Sequence, residues 1–215
     1  MKVLITAFRP FGRRKNNTSE DILVWLRKNC HVQQNLRLDF AVLPVNFRST
    51  WPELRGAILR FTPDALLILG EKNARRPCLE TRALNIRRYK NGTMPIEKSP
   101  RKQLHTSLDA ARLINALKKG HSNWTISHNA GSYLCNFSYW KVLSQMPDLP
   151  CIFFHVPALS VENAQMEIKS IATQIETLTG AIQMQMLQLR KKQFRQKQLT
   201  VPGQKAGSAK RKKGA

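Results

Sequence analysis

The chain is short of acid. Its 215 residues hold 13 Asp+Glu against 36 Lys+Arg, a formal net charge of +23. Cysteine is scarce as well. Cys30, Cys78, Cys135 and Cys151 stand apart, with no Cys-x-x-Cys pair among them. That excludes a disulfide framework and a zinc ribbon, and it fits a reducing, cytoplasmic setting. No apolar run approaches the roughly 20 residues that cross a bilayer, so no membrane partner is expected. The opening MKVLITAF (Met1–Phe8) is too short in apolar residues for a secretory leader and lacks a small-residue cleavage pattern. It reads as a first β-strand. No internal repeat is present.

What the chain does have is a core and an excess of positive charge. Hydrophobic residues make up 42%, which excludes a disordered chain. The length suits one α/β domain and is tight for two. Ten of the basic residues, and no acid, fall in 190–215, which leaves 26 basic against 13 acidic residues in 1–189. The body is therefore basic without its tail. Such a charge favours anionic partners and is silent on fold.

Strand-like and helix-like segments alternate. Lys2–Phe8, Leu36–Val45, Asp64–Gly70 and Cys151–Val156 are apolar strands, and Trp124–Ser127 is a short one. Ser19–Asn29, with Thr18 or Ser19 as its cap, Ser49–Phe61, Thr106–Lys119 closed by Gly120, and Tyr133–Met146 have helical spacing. Residues 71–104 have no period and read as one long connection. From Ser160 to about Gln198 the pattern is a long helix, weakened at Gly180 and fading into a basic stretch, and the last residues are expected to be disordered. The expected fold is an open, mostly parallel, twisted sheet with helices on both faces, plus that basic C-terminal helix and tail. Residues 1–180 form the α/β domain, and 181–215 a basic extension. Sites in such sheets open outside the carboxyl ends of the strands.

Three residues near strand ends can do chemistry together. Cys135 opens a predicted helix, whose free N–H groups favour a thiolate and can hold an oxyanion. His155 closes the strand before Pro157 and can serve as a base toward a thiol. Glu80, in the loop after the third strand, can orient the imidazole and stabilise its charged form. Each also has a plain structural alternative: a small buried hydrophobe, a core histidine and a surface carboxylate.

Read as motifs, the segments are more specific. VLITAFRPFG (3–12), ETRALNI (80–86), SHNAGSYLCN (127–136) and FFHVP (153–157) together resemble the pyroglutamyl-peptidase I family of cysteine peptidases, in order and at comparable separations over roughly residues 1–175. The resemblance implies removal of an N-terminal pyroglutamyl residue from peptides, without metal or other cofactor. It makes Cys135 the nucleophile, His155 the general base and acid, and Glu80 the orienting carboxylate. Phe8 and Phe11 would hold the pyrrolidone ring, with Tyr133 and Leu134 lining the pocket beside the nucleophile and Glu71 near the substrate. A neutral lactam suits an aromatic slot with a few polar partners. Homo-oligomers, often tetramers, are also implied. The chain departs from the family pattern at Glu71, which replaces glutamine or an apolar residue, at His128, which replaces asparagine, and over Arg87–Asn91.

The charge supports a second reading: a catalytically weak or inactive family member that binds nucleic acid through Arg75, Arg76, Arg82, Arg87, Arg88, Lys90 and the tail. Non-specific contact of this kind weakens steeply with salt. No recognisable sequence-reading module accompanies it.

Overall fold

A computed structural model describes residues 1–30, 35–118, 123–159 and 164–199. In chain order the elements are β1 (Lys2–Phe8), α1 (Thr18–Asn29), β2 (Arg37–Leu43), α2 (Thr50–Phe61), β3 (Ala65–Lys72), β4 (Cys78–Glu80), β5 (Arg82–Leu84), β6 (Arg87–Tyr89), β7 (Gly92–Met94), β8 (Gln103–His105), α3 (Ala110–Lys118), β9 (Thr125–Ser127), α4 (Leu134–Gln145), β10 (Cys151–Pro157) and α5 (Ala164–Leu199).

Six strands form one sheet in the order β2-β1-β3-β10-β4-β9. β2, β1, β3 and β10 run parallel. β4 pairs antiparallel with β10 and parallel with β9. Burial on both faces explains the continuous apolar runs: Leu4 and Ile5, Leu66 and Leu67, and Ile152 and Phe153 are all fully buried on adjacent positions. Alternation divides them between two layers. Val3, Ile5, Leu67, Ile152 and Phe154 pack with residues of α1, α3 and α5. Leu4, Leu66, Ile68, Cys151 and Phe153 pack with residues of α2 and α4. The fold is thus α/β with helices on both faces of a mostly parallel sheet.

Residues 71–104 are not one loop. They hold β4 within the central sheet and two small ribbons, β5–β8 and β6–β7. Three-residue strands carrying Arg82, Arg87 and Arg88 leave no readable period. The cap of α1 also differs from expectation. Asn17, one residue earlier, accepts a hydrogen bond from the Ser19 amide at Oδ1 (3.0 Å), and its amide group donates to the Arg9 carbonyl. α3 starts later than its periodicity indicates. The Thr106 hydroxyl donates to the Cys151 carbonyl and accepts from the Leu108 amide, while Asp109 accepts from the Arg112 amide and begins the helix. α5 continues through Gly180, with Ile182 and Gln185 beyond it still buried. The Gly120 stop, the Ser160 start and the tail lie outside the described residues. Among the described residues no helix is long and apolar enough to cross a membrane.

Candidate active site

Strand parity brings the reactive groups to one face. In β10, Cys151 and Phe153 pack into the α2/α4 layer, and His155 follows them at the same alternation. In β3, Leu66 and Ile68 do the same, which puts Gly70 on that face opposite His155. In β4, Cys78 pairs with His155 and Glu80 with Phe153, and both side chains turn toward the same layer, while Leu79 joins the other. Helix α4 covers this face, with Cys135 in its first turn.

The segment before α4 is held firmly. Gly131 takes a left-handed backbone, φ 83°, open to glycine at no steric cost. Its amide donates to the Asn129 side chain at 2.9 Å. The Asn129 amide donates to Glu80 Oε2 at 3.0 Å. Asn136, fully buried, accepts from the Leu84 amide and donates to the carbonyls of Leu84 and Ile86, each at 2.8 Å. The Tyr139 hydroxyl donates to the Glu80 carbonyl at 2.9 Å. These hydrogen bonds tie the segment that leads into Cys135 to β4 and to the strand that follows it.

His155 Nδ1 lies 2.7 Å from Glu80 Oε1, both side chains buried. Lys72 Nζ lies 3.3 Å from the same oxygen and 3.1 Å from the Asn129 carbonyl. Burial alone would raise the Glu80 carboxyl. Hydrogen bonds from His155 and Ser127, the charge His155 carries whenever it is protonated, and the charge of Lys72 overcome it and hold the group at about 2. Glu80 is therefore an acceptor only, so Nδ1 carries the proton and Nε2 of a neutral ring is a free acceptor. Burial lowers His155 below its ordinary value, partly offset by Glu80, which favours that neutral ring.

Cys135 departs from the expectation of an acidic thiol. It is half-buried, and the protein packed around its sulfur pushes the thiol up to about 12. Its own backbone N–H at the start of α4 pulls the other way, as the helix terminus should, and is outweighed. Both shifts favour the uncharged forms, a thiol and a neutral imidazole.

Cys135 and His155 line one cavity of about 220 Å³. Phe8, Phe11, Tyr133, Leu134 and Glu71 line it too, and Glu80 lies behind His155. Phe8 is buried, whereas Phe11 and Tyr133 are 42% and 41% exposed at the mouth. Both Glu71 oxygens are engaged: one accepts from the Thr18 amide at 2.8 Å, the other from the Arg14 guanidinium. Glu80 itself is a fully buried strand residue rather than a loop carboxylate. Arg88, within the departing stretch Arg87–Asn91, also lines the cavity, as do Lys72, Asn17 and Val45, which the sequence does not single out for it. The signal for Lys72 was its place two residues after Gly70, at the end of a core strand.

Cys78, Glu80 and His155 each offer a ligand atom, all within 4.8 Å of one another. The set suits a proton better than a cation. The Lys72 ammonium already occupies the carboxylate, and burial, followed by the Glu80 charge, pushes the Cys78 thiol up to about 11.

A doubly covered α/β sheet that sets a thiol and an imidazole on one cavity, with a carboxylate behind the imidazole, defines the class: a fold and a constellation of the cysteine-hydrolase type. The comparison with known proteins is more specific. The family model for pyroglutamyl peptidase matches residues 1–188, and the chain belongs to that family of cysteine hydrolases. It is 26% identical over 200 residues to the pyrrolidone-carboxylate peptidase of Lactobacillus acidophilus, covering 85% of this chain and 97% of that relative. It resembles the solved pyroglutamyl peptidase I of Bacillus amyloliquefaciens with a TM-score of 0.74 at 23% identity, covering 84% of this chain and 93% of that one. The pyrrolidone carboxyl peptidase of Thermococcus litoralis gives a TM-score of 0.73 at 24% identity, with coverages of 86% and 96%.

Proposed function

We propose that this protein hydrolyses the bond that follows an N-terminal pyroglutamyl residue in peptides, with Cys135 as nucleophile, His155 as base and then acid, and Glu80 as the group that orients the ring. The observation that carries it is the 2.7 Å contact of His155 with Glu80 beneath a cavity that Cys135 shares with Phe8 and Phe11. Because the thiol is held neutral, its proton leaves as it attacks. The sulfur bonds to the pyroglutamyl carbonyl carbon while Nε2 of His155 takes the proton, and the Glu80 carboxylate stabilises the imidazolium. Backbone N–H groups in the first turn of α4 are suited to the oxyanion. Collapse of the tetrahedral intermediate breaks the carbon–nitrogen bond. His155 returns its proton to the leaving amine, and a pyroglutamyl thioester remains on Cys135. Water, deprotonated by His155, then attacks the thioester carbon; the carbon–sulfur bond breaks, pyroglutamate leaves, and the imidazolium returns its proton to the Cys135 sulfur.

The apolar side of the cavity, with Phe8, Phe11, Val45, Tyr133 and Leu134, suits the faces of a neutral lactam ring. The same proposal takes residues 1–180 as the peptidase domain, 181–215 as a basic extension, and a reducing cytoplasm as the compartment that keeps the nucleophile free. Assembly into homo-oligomers belongs to it as well. The test is hydrolysis of a pyroglutamyl-coumarin amide. Turnover by the intact chain that disappears in Cys135→Ala supports the proposal. Folded wild-type protein with no turnover of pyroglutamyl substrates refutes it.

A further inference from the structure

The cavity is more cationic than a neutral ring requires. Two of its charges are already balanced: Lys72 sits against Glu80, and Glu71 against Arg14. Arg88 is not. It is exposed, it lines the cavity, and among the described residues no carboxylate comes within ion-pair distance of it. Its backbone is held beside the site, because its amide donates to the Ser132 carbonyl in the segment that leads into Cys135. Further exposed cations stand on the loops that leave the carboxyl ends of β1 and β3, the edge at which the cavity opens. Arg13 and Lys15 follow Phe11, and Arg75 and Arg76 follow Lys72. None of these four makes an ion pair among the described residues either. Glu71, the one carboxylate that lines the cavity among the described residues, is engaged on both oxygens.

An uncompensated positive rim around a concave site concentrates anions and speeds their capture. The pyroglutamyl ring is uncharged, so on the reading of the site given above the anion must lie in the peptide that follows the ring. We propose that the enzyme selects pyroglutamyl peptides that are acidic directly after the pyroglutamyl residue, and that Arg88 is the specificity-determining side chain. An Arg fork can meet a carboxylate with two parallel hydrogen bonds, a geometry that a lysine ammonium does not offer. The remaining loop cations add long-range attraction.

The experiment compares kcat/KM for three matched peptides that differ only in the residue after pyroglutamate: Glu, Gln and Lys. At low salt the Glu peptide should exceed the Lys peptide by about tenfold, with Gln between. Raising the salt should compress the series, since exposed charges are screened within roughly a Debye length. Arg88→Gln should bring the Glu/Gln ratio close to one, and Arg88→Glu should invert the order, whatever happens to the absolute rates. Because the wild-type series stands alone, the inference does not depend on a variant that folds. Turnover of all three peptides at equal, salt-independent rates overturns the acidic preference while leaving the hydrolase reading intact. No turnover of any of them, or of the neutral coumarin amide, removes the hydrolase reading and this inference with it. Equal peptide rates together with competitive inhibition by a single-stranded oligonucleotide would assign the rim to nucleic acid and overturn the proposal.

Discussion

Gly70 is the residue at which one carbon atom should cost the most. A Cβ placed there would lie 2.6 Å from Phe153 Cζ, 2.9 Å from its Cε1 and 3.0 Å from Cys135 Sγ. Ordinary carbon contacts are about 3.5–4.0 Å, so the ring must retreat by close to an ångström. It has nowhere to go. Phe153 is fully buried, with its ring 4.7 Å from that of His155 and 5.8 Å from that of Tyr139. Overpacking of this kind costs about 1–3 kcal/mol. In a protein of this size each kcal/mol moves the midpoint by roughly 2–4 °C. The atoms that must yield flank the thiol and the imidazole, and a displacement near 1 Å at a reacting centre costs on the order of 10²-fold in rate. Gly70→Ala should therefore lower both Tm, followed by circular dichroism, and kcat on a pyroglutamyl amide. Gly56 is the internal control. The same added carbon meets nothing within 4 Å there, in the middle of α2. Gly56→Ala should stabilise by about 0.5–1 kcal/mol with activity unchanged. If Gly70→Ala unfolds with wild-type Tm and keeps wild-type activity, the close approach of sheet and nucleophile described above is wrong.

Glu80→Gln keeps the shape but loses the charge that stabilises the imidazolium, so kcat should fall on the order of 10²–10⁴-fold. In the same comparison, wild-type stability should be lost as pH falls from the ordinary carboxyl range near 4.5 toward about 2, because the Glu80 carboxyl is held low only in the folded state. The variant should lack that component, as acid titration followed by fluorescence would reveal. Iodoacetamide modification of Cys135 in the wild type should stay slow near neutral pH and keep accelerating well above pH 9, since burial pushes the thiol up to about 12. A plateau reached near pH 7 would mean a preformed thiolate–imidazolium pair instead. Hydrolysis should also weaken on the acid side as His155 takes a proton, and burial places that limb below the ordinary 6.5. For the tail, filter binding of the full chain and of a truncation at Leu189 across salt should separate a dedicated nucleic-acid arm from a merely basic surface. A steep salt dependence that the truncation loses supports the arm, and equal weak binding counts against it.

The large elements were legible because their signals are long. The buried strands β1, β3 and β10 read as continuous apolar runs, and parity alone then puts His155 on the face that α4 covers. Cys135 and His155 stand out as a helix-start and a strand-end residue, whereas Phe8, Phe11 and Tyr133 enter only through the family resemblance. β4 could not. Three residues, Cys78–Glu80, carry no period, and their place in the centre of the sheet depends on β10, which arrives more than seventy residues later. For the same reason Glu80 looked like a loop carboxylate, although it is the most enclosed charge of the site. The α1 cap lies one or two residues before the expected Thr18 or Ser19, because Asn17, Thr18 and Ser19 are all good caps. Only the contact of Asn17 with the Arg9 carbonyl, across the β1–α1 loop, decides among them. The raised thiol of Cys135 is hidden from the sequence for a different reason. A helix N-terminus is visible in sequence, whereas the desolvation that outweighs it depends on how tightly β3, β10 and α4 close around the sulfur.

The role of Cys135 can be tested directly by rapid quench. Intact protein mixed with a pyroglutamyl-coumarin amide and stopped in acid within one turnover should carry a single pyroglutamyl acyl group, located by mass spectrometry on the peptide that contains Cys135. Product formation with no acylated Cys135, or with the acyl group on Cys78 or another residue, would contradict it.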